Sequence, residues 1–373
     1  MGITDSSIVD SARARPGLLF VVLLGGLLLI DLAAKLAGVG LGPIGGSISV
    51  DRLGSNLWNG VVIGLVIGLA GIGLSMTYSI LSFANFSHGD LVSVGAFSGW
   101  GVAFLIAGFG DVPVRALLTV RDAGNASPGD IGAHILTTPG AILVGLLAAF
   151  VVTALLAVAL DRAFYKPMRD RDGISLLIAS IGAALIVRYL LQFVYGSDRR
   201  GITASVDASN LAFDPLGLSV NAHELTILVG AVGLMIAMHA MLQHTKLGTA
   251  MRAMADNKDL ALITGIPAER VVTATWIIGG GLAGASGYLY VLLRGTIQFD
   301  FGWLLLLLIF AAVILGGIGS VYGAIVGGLV IGVVFTTSTI WIPSDFNQAA
   351  AFGVMILMLL LRPEGLFGGV TTT

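Results

Sequence analysis

The sequence predicts an all-α integral membrane protein with about ten transmembrane helices. Its mean hydropathy is +0.98, and only 11% of its residues are charged, which is too little to solvate the surface of a soluble chain of 373 residues. The 53 glycines suit spanning helices that pack closely together. The absence of cysteine excludes disulfides, thiolate metal sites and a cysteine nucleophile.

Ten apolar runs approach or exceed the length of about 20 residues that a spanning helix requires. They comprise residues 18–41, 57–81, 91–109, 140–160, 174–195, 224–242, 271–293, 303–317, 323–342 and 348–361. The third, eighth and last runs are short enough for one of them to be re-entrant. The first run resembles a signal peptide, but it is long enough to span and no Ala-x-Ala pattern follows it, so we interpret it as a retained helix.

The distribution of Lys and Arg predicts that both termini are cytoplasmic, since cytoplasmic loops carry an excess of these residues. The two strongest clusters, in residues 162–171 and 246–270, then lie on the cytoplasmic side. The opposite side holds only Arg52, Arg115, Arg121, Arg199, Arg200 and Arg294.

This topology divides the chain into three parts. We expect a cytoplasmic N-terminal segment at 1–16, a single transmembrane domain at 17–361 and a cytoplasmic tail at 362–373. The transmembrane domain would carry external loops near 110–139 and 196–222 and a cytoplasmic loop at 244–270.

Charges and glycines within the apolar runs predict how the helices are held together. Asp31 and Lys35 are one helical turn apart and are expected to neutralise each other, whereas Arg188 is expected near the external end of its helix. Glycines recur every fourth residue at 60–68 and again at 319–327, which lets neighbouring backbones approach closely. The glycine-rich stretch 316–323 predicts a short hairpin or a broken helix.

A polar stretch interrupts the apolar pattern at residues 85–90. Because hydrocarbon offers no hydrogen-bond partners, these side chains must face water or line a path. Neutral polar groups suit a small zwitterionic solute better than an ion. The candidate path residues are Asn59, Ser75, Tyr78, Asn85, Ser87 and His88. His88 is a candidate gate or proton group, although a hydrogen-bonded structural histidine at a helix boundary is the favoured interpretation.

The cytoplasmic stretch 246–267 predicts two short helices joined at 255–257. Asp256 is a candidate cap for the second helix, and Gly265 is expected to end it in the left-handed conformation. The first helix has an apolar stripe that includes Met251 and Met254 and is too short to span. From the pattern alone, this stripe fits a groove on another protein and the membrane surface about equally well.

The same segment carries a family resemblance. Gly248, Arg252, Ala253, Asn257, Ala261, Gly265 and Ile266 match the signature of permease subunits of ATP-binding-cassette (ABC) importers of the branched-chain amino acid type. Further matches to that family follow the same order along the chain: Asn59-Gly60, the stretch 85–89, the stretch 315–320 with Gly323-Ala324, and the stretch 361–368. The resemblance covers roughly residues 57–368.

The resemblance implies a non-catalytic subunit of an ATP-driven importer in the bacterial or archaeal plasma membrane, with no metal or cofactor of its own. The chain has no Gly-x-x-x-x-Gly-Lys-Ser/Thr stretch, so ATP would be used by two cytoplasmic ATPase subunits. A second homologous permease and an external solute-binding protein would complete the assembly, without nucleic acid. The residues implied in ATPase coupling are Gly248 and Gly265 as hinges, Arg252 as the polar contact, Met251 and Met254 as apolar contacts, and Asn257 in the signature.

Other functions remain open at this point. Permeases for urea or short amides have similar motifs, so the solute is not fixed. A membrane-embedded enzyme lacks its parts, since His223-Glu224 is not followed by the second histidine of His-Glu-x-x-His and 284–287 is not a Gly-x-Ser-x-Gly elbow. A secondary transporter or channel would need an intramembrane carboxylate or ion cage that the sequence scarcely offers.

Overall fold

Long α-helices dominate the computed structural model, which describes residues 16–41, 44–121, 123–124, 126–169, 171–204, 210–213 and 218–368. The helices, in chain order, are α1 Pro16–Leu36, α2 Val50–Leu81, α3 His88–Ala107, α4 Pro139–Leu160, α5 Gly173–Tyr195, α6 Ala222–His244, α7 Lys246–Asp256, α8 Lys258–Ile263, α9 Ala268–Arg294, α10 Phe301–Gly316, α11 Val321–Thr337 and α12 Asn347–Leu361. Most of the expected N-terminal segment, parts of the second external loop and the last five residues of the tail lie outside the described residues.

The helix count agrees with an integral membrane protein. Among the described residues, eight helical segments are long and apolar enough to cross a membrane, and α10 is a shorter apolar helix. Short antiparallel strand pairs lie outside these helices: β1 Gly40–Leu41 with β2 Ile44–Gly45, β3 Arg200–Gly201 with β6 Thr296–Ile297, and β4 Asn210–Phe213 with β5 Leu218–Asn221. The all-α prediction is therefore confirmed, with minor strand content between helices.

The bundle has two distinct ends. One end, which we call the basic end, carries the 162–171 cluster and α7–α8, and Lys166 and Arg169 both bond to Glu269 there. The other end, which we call the loop end, carries residues 110–138 and 196–221, where Arg200 donates to the backbone oxygen of Thr119. Successive long helices run alternately between these two ends.

Glycines place α2 against α11 at the centre of the bundle. Gly64 faces the backbone of Gly328 and Leu329, and a Cβ on Gly328 would collide with the backbone of Gly68. Helix axes approach this closely only where side chains are absent from both surfaces. The ladder at 60–68 therefore permits the close backbone approach that the sequence predicted, and the structure identifies α11 as the helix it meets.

The glycine-rich stretch after α10 forms a tight hairpin. Gly317 and Gly319 have φ of 105° and 90°, conformations that glycine adopts without steric cost. Ser320 then caps α11, since its Oγ accepts a hydrogen bond of 3.0 Å from the backbone nitrogen of Gly323. Of the two predicted alternatives, the hairpin is the one formed.

Two helices begin inside the bundle rather than at its ends. Ser82 ends α2 in the left-handed conformation with φ of 57°, and the chain then turns back inward. His88, the first residue of α3, contacts Ala70, which lies about 18 Å from the end of α2 at 1.5 Å rise per residue. Helix α10 starts at the same depth, because Gly302 packs against Gly89.

Candidate functional site

The segment between α2 and α3, residues 82–87, which we call the re-entrant segment, is anchored to the bundle by side-chain hydrogen bonds in addition to backbone bonds such as that from His88 to Asn85. Ser180 of α5 accepts a hydrogen bond of 3.0 Å from the backbone nitrogen of Phe86. The Oδ1 atom of Asn85 accepts from both the backbone nitrogen and the hydroxyl of Ser87, at 3.1 and 2.7 Å. These bonds satisfy irregular backbone that lipid could not satisfy, which explains why polar residues occupy this depth.

Tyr165 connects the re-entrant segment to the basic end. Its hydroxyl lies 2.8 Å from Oγ of Ser87, and its ring stacks on Trp276 of α9 at 4.9 Å between centroids. A single π-helical turn, Asp161–Tyr165, continues α4 and sets the direction of this side chain. Tyr165 was not among the residues predicted from the sequence, although an aromatic residue one helical turn after Asp161, just past an apolar run, was a usable signal.

His88 has a structural hydrogen bond. Its Nε2 lies 2.9 Å from the backbone oxygen of Ala70, and the residue is buried at the first position of α3. Because a carbonyl only accepts, Nε2 donates this hydrogen bond and carries a proton. The hydrogen bond at a helix boundary is present as expected, and the role of His88 as a gate or proton group stays a prediction.

The remaining candidate path residues do not converge on one point. Ser75 is fully buried, whereas Tyr78 is partly exposed near the basic end. Asn59 lies near the loop end of α2, about 28 Å from Tyr78 along the helix. The structure thus brings Asn85, Ser87 and His88 together and leaves Asn59 and Tyr78 apart, and the lining role of all six stays a prediction.

An ion pair lies beside the re-entrant segment. Arg188 of α5 donates two hydrogen bonds to the carboxylate of Asp90, at 3.0 and 2.9 Å, and its guanidinium lies 4.5 Å from the ring of Trp303. Asp90 is completely buried. Arg188 lies within two turns of the loop end of α5, as expected, and the carboxylate of Asp90 draws its guanidinium into the bundle, which was not predicted. By contrast, the predicted Lys35–Asp31 pair is confirmed at 2.7 Å.

A second charge network closes the basic end. Arg169 bonds both carboxylate oxygens of Asp161, at 2.8 and 2.7 Å, and also reaches Glu269 at 2.6 Å. Lys166 bonds the same glutamate at 3.0 Å. The network ties the π-helical turn to the first turn of α9, directly after the α7–α8 segment.

The α7–α8 segment, residues 246–263, forms the two predicted helices, but the residue that caps the second helix differs from the prediction. Asn257, not Asp256, caps α8, since its Oδ1 accepts from the backbone nitrogen of Leu260 at 2.9 Å. Gly265 has φ of 86° after the end of α8, as expected. Arg252 is half-buried and donates to Gln243 at 3.3 Å.

The apolar residues of this segment divide into an inward and an outward set. Met251 and Met254 are each only 2% exposed and pack within the chain, so they offer almost no surface to a partner. Gly248 is also buried against the end of α6. The exposed apolar surface lies on α8 instead, where Leu260, Leu262 and Ile263 are 54%, 45% and 82% exposed. We call these three residues the α8 patch.

A pair of histidine rings lies at the loop end. His134 packs edge-on against His223 at 4.2 Å between centroids, and its Nδ1 accepts a hydrogen bond of 3.1 Å from the backbone nitrogen of Leu136. Burial lowers the pKa of His134 below its ordinary value of 6.5. The neutral ring is therefore the stable form near pH 7.

A cavity of about 320 Å³ opens at the loop end between α9, α10, α11 and the start of α12. We call it the vestibule. It is lined by Arg199, Tyr290, Arg294, Thr296, Ile297, Gln298, Asp300, Phe301, Leu304, Leu305, Leu308, Phe335, Ser344, Asp345 and Gln348. Sequence analysis did not find it, because its residues come from segments nearly 150 positions apart.

Comparison with known proteins identifies the family. The family model described as the permease component of the branched-chain amino acid transport system matches residues 56–361. The chain belongs to this family. The match includes the re-entrant segment, the α7–α8 segment and all of the vestibule residues.

Several curated relatives resemble the permease over nearly their full lengths. The high-affinity branched-chain amino acid transport system permease protein LivH of Salmonella typhimurium is 26% identical over 314 residues, covering 84% of this chain and 94% of LivH. BraD of Pseudomonas aeruginosa, which carries the same description, is 26% identical over 315 residues, with the same coverages. A probable LivH from Methanocaldococcus jannaschii is 28% identical over 318 residues, covering 80% and 88%.

Proposed function

We propose that this permease is the membrane subunit of an ATP-driven ABC importer for branched-chain or related small amino acids. Two cytoplasmic ATPases would supply the energy, a second homologous permease would complete the path, and an external binding protein would deliver the solute. In this proposal the basic end and both termini face the cytoplasm of a bacterial or archaeal cell. The family membership and the names of the relatives support the solute class.

The α8 patch carries the ATPase part of the proposal. Three large apolar side chains project from a short helix at the basic end, and the cap at Asn257 fixes that helix relative to α7. Clustered exposed apolar residues mark protein or membrane contact sites, and the family membership favours a protein contact here. We assign the apolar ATPase contact to the α8 patch in place of Met251 and Met254, because those two side chains are already enclosed by their own chain.

The charge network at the basic end connects the α8 patch to the re-entrant segment inside the bundle. The α8 helix leads through Gly265 and Pro267 into α9, where Glu269 bonds Arg169. Arg169 holds Asp161 in the π-helical turn that carries Tyr165 to the re-entrant segment. A displacement of α8 by an ATPase would therefore reach Ser87 through ion pairs and hydrogen bonds.

The test is a reconstituted transporter that contains this permease together with the second permease, the ATPases and the binding protein of the proposed assembly. Leu260→Glu on the α8 patch is expected to lower ATP-dependent leucine uptake at least about tenfold, since burying the new charge would cost more than 1.4 kcal/mol. Leu136→Glu is the matched control at the loop end, because Leu136 is 55% exposed and Leu260 is 54% exposed. Normal coupled uptake by Leu260→Glu would overturn the docking assignment.

Two further outcomes separate the rival functions. Uptake of urea or a short amide in place of leucine would retain the importer and replace its solute. Solute movement by the purified permease without any ATPase would instead establish a secondary transporter or a channel.

A further inference from the structure

The vestibule combines unpaired charges of both signs with an apolar floor. Arg199 and Arg294 lie in its lining together with Asp300 and Asp345. Among the described residues, none of these four side chains makes an ion pair within 4.0 Å, although five other pairs are formed. Charged groups that share a cavity and remain unpaired are free to bind a ligand that carries both charges.

The apolar part of the vestibule lies deeper than the charged part. Leu305 and Leu308 of α10 are buried, and they lie one to two turns below Phe301, where the helix begins. Phe335 of α11 completes this floor. Because α10 starts inside the bundle, the stretch 296–300 descends beside α9 and brings polar groups to the edge of the apolar floor.

The aromatic wall is fixed in place. Tyr290 stacks nearly parallel on Phe301 at 5.6 Å between centroids, and the guanidinium of Arg294 lies 5.9 Å from the ring of Tyr290. These contacts restrict the positions of Arg294 and of the first turn of α10. A site whose groups are already positioned loses less entropy when a ligand binds.

We propose that the vestibule binds a free zwitterionic amino acid with a branched aliphatic side chain, an inference that rests on the importer function proposed above. The α-carboxylate faces Arg294 and Arg199, the α-ammonium faces Asp300 and Asp345, and the side chain lies on Leu305, Leu308 and Phe335. A volume of about 320 Å³ accommodates one small solute, since ligand sites begin near about 300 Å³. The vestibule would then select for solute chemistry after release from the binding protein.

Each part of the solute contributes a separate preference. Every additional buried methylene is expected to strengthen binding about fourfold, which favours leucine over glycine. A solute without the ammonium group leaves Asp300 and Asp345 without a partner, and one without the carboxylate leaves Arg199 and Arg294 without one. Leucine should therefore bind more tightly than 4-methylpentanoate, which lacks the ammonium group, and 3-methylbutylamine, which lacks the carboxylate.

Cysteine protection tests this proposal on the full chain in lipid nanodiscs. The permease has no native cysteine, so Ser344→Cys introduces a single thiol in the vestibule with little change in size. L-leucine at about 10 mM is expected to slow its reaction with a soluble maleimide about threefold, the factor for two-thirds occupancy at a Kd of about 5 mM. Ser197→Cys, an exposed position at the same end but outside the vestibule, should label at an unchanged rate.

Variants and analogues then identify the contacts. Arg294→Gln or Asp345→Asn in the Ser344→Cys background should abolish protection by leucine, whereas Arg115→Gln, an exposed arginine at the loop end outside the vestibule, should preserve it. Protection by urea, or equal protection by 4-methylpentanoate and leucine, would overturn the zwitterion site. Unchanged labelling with leucine would also overturn it. The assay contains no ATPase, so a negative result here does not bear on the importer proposal. The uptake experiment with Leu260→Glu tests that proposal separately.

Discussion

The hydroxyl of Tyr165 lies 2.8 Å from Oγ of Ser87, and this contact joins the basic end of the permease to its re-entrant segment. The two residues are 78 positions apart in the chain. Tyr165 also stacks on Trp276 of α9, so one side chain connects α4, α9 and the start of α3. If these three elements move relative to one another, either the Tyr165–Ser87 hydrogen bond breaks or the two residues move together.

Removing the hydroxyl of Tyr165 should weaken this connection. Tyr165→Phe keeps the ring stacked on Trp276 but loses the hydrogen bond to Ser87, so we expect a loss of about 1 kcal/mol in stability. Thermal unfolding in detergent measures this loss. Tyr189→Phe, at an exposed position on α5, is the control and should change nothing. Equal melting temperatures for Tyr165→Phe and the native chain would show that the contact contributes no stability.

Arg169 should matter more than Lys166, although both bond Glu269. Arg169→Gln leaves the carboxylate of Asp161, which is 4% exposed, without its two-point partner, so the expected destabilisation is about 3 kcal/mol. Lys166→Gln removes a pair whose side chains are 53% and 60% exposed, and should cost less than about 1 kcal/mol. Denaturant titration of both variants compares them. If the two variants lose a similar free energy of unfolding, the burial of Asp161 is not what makes the Arg169 ion pair the more stabilising one.

The α2–α11 contact should tolerate no added methyl group. A Cβ on Gly328 would meet the backbone of Gly68, so Gly328→Ala is expected to destabilise the chain by about 1–3 kcal/mol. Gly182→Ala on α5 is the matched control, because nothing lies within 4 Å of its added carbon. That variant should be neutral or stabilised by up to about 1 kcal/mol, since alanine favours helix. Melting temperatures in the same detergent test both expectations, and an unaffected Gly328→Ala would refute the close packing.

His134 should make the loop end sensitive to acid. Its folded pKa lies below 6.5, so it contributes stability that is complete above pH 6.5 and is lost as the pH falls through the folded pKa. Protonation also removes the Nδ1 acceptor used by Leu136. We expect His134→Asn to flatten the fall in melting temperature below pH 6.5, while His244→Asn at the basic end keeps the native slope. Identical pH profiles for His134→Asn and the native chain would exclude this role.

Local sequence predicted the features whose cause is local. The helices follow from apolar runs whose backbone must be satisfied within each helix, and Gly265 follows from the left-handed turn after α8. The cap of α8 was assigned one residue early, because Asp256 and Asn257 are both good capping residues and only the geometry of the turn selects Asn257.

Local sequence did not predict which part of the structure each helical face would pack against. The stripe containing Met251 and Met254 was interpreted as a surface for a partner, but α7 turns it toward the chain's own helices. Amphipathicity shows that one face must be buried and does not show by what. The ion pair of Arg188 was not predicted for a related reason, since its partner Asp90 lies 98 positions away.

The sequence by itself determined the membrane environment, the approximate positions of the long apolar helices, the capacity of the glycine ladders for close packing and the family, because hydropathy, backbone conformation and motif order are properties of short segments. Only the tertiary structure decided the Tyr165–Ser87 contact, the burial of Met251 and the existence of the vestibule. Each of these depends on which segments, distant in the sequence, are in contact. Those contacts are determined by how the complete surfaces of the helices pack together.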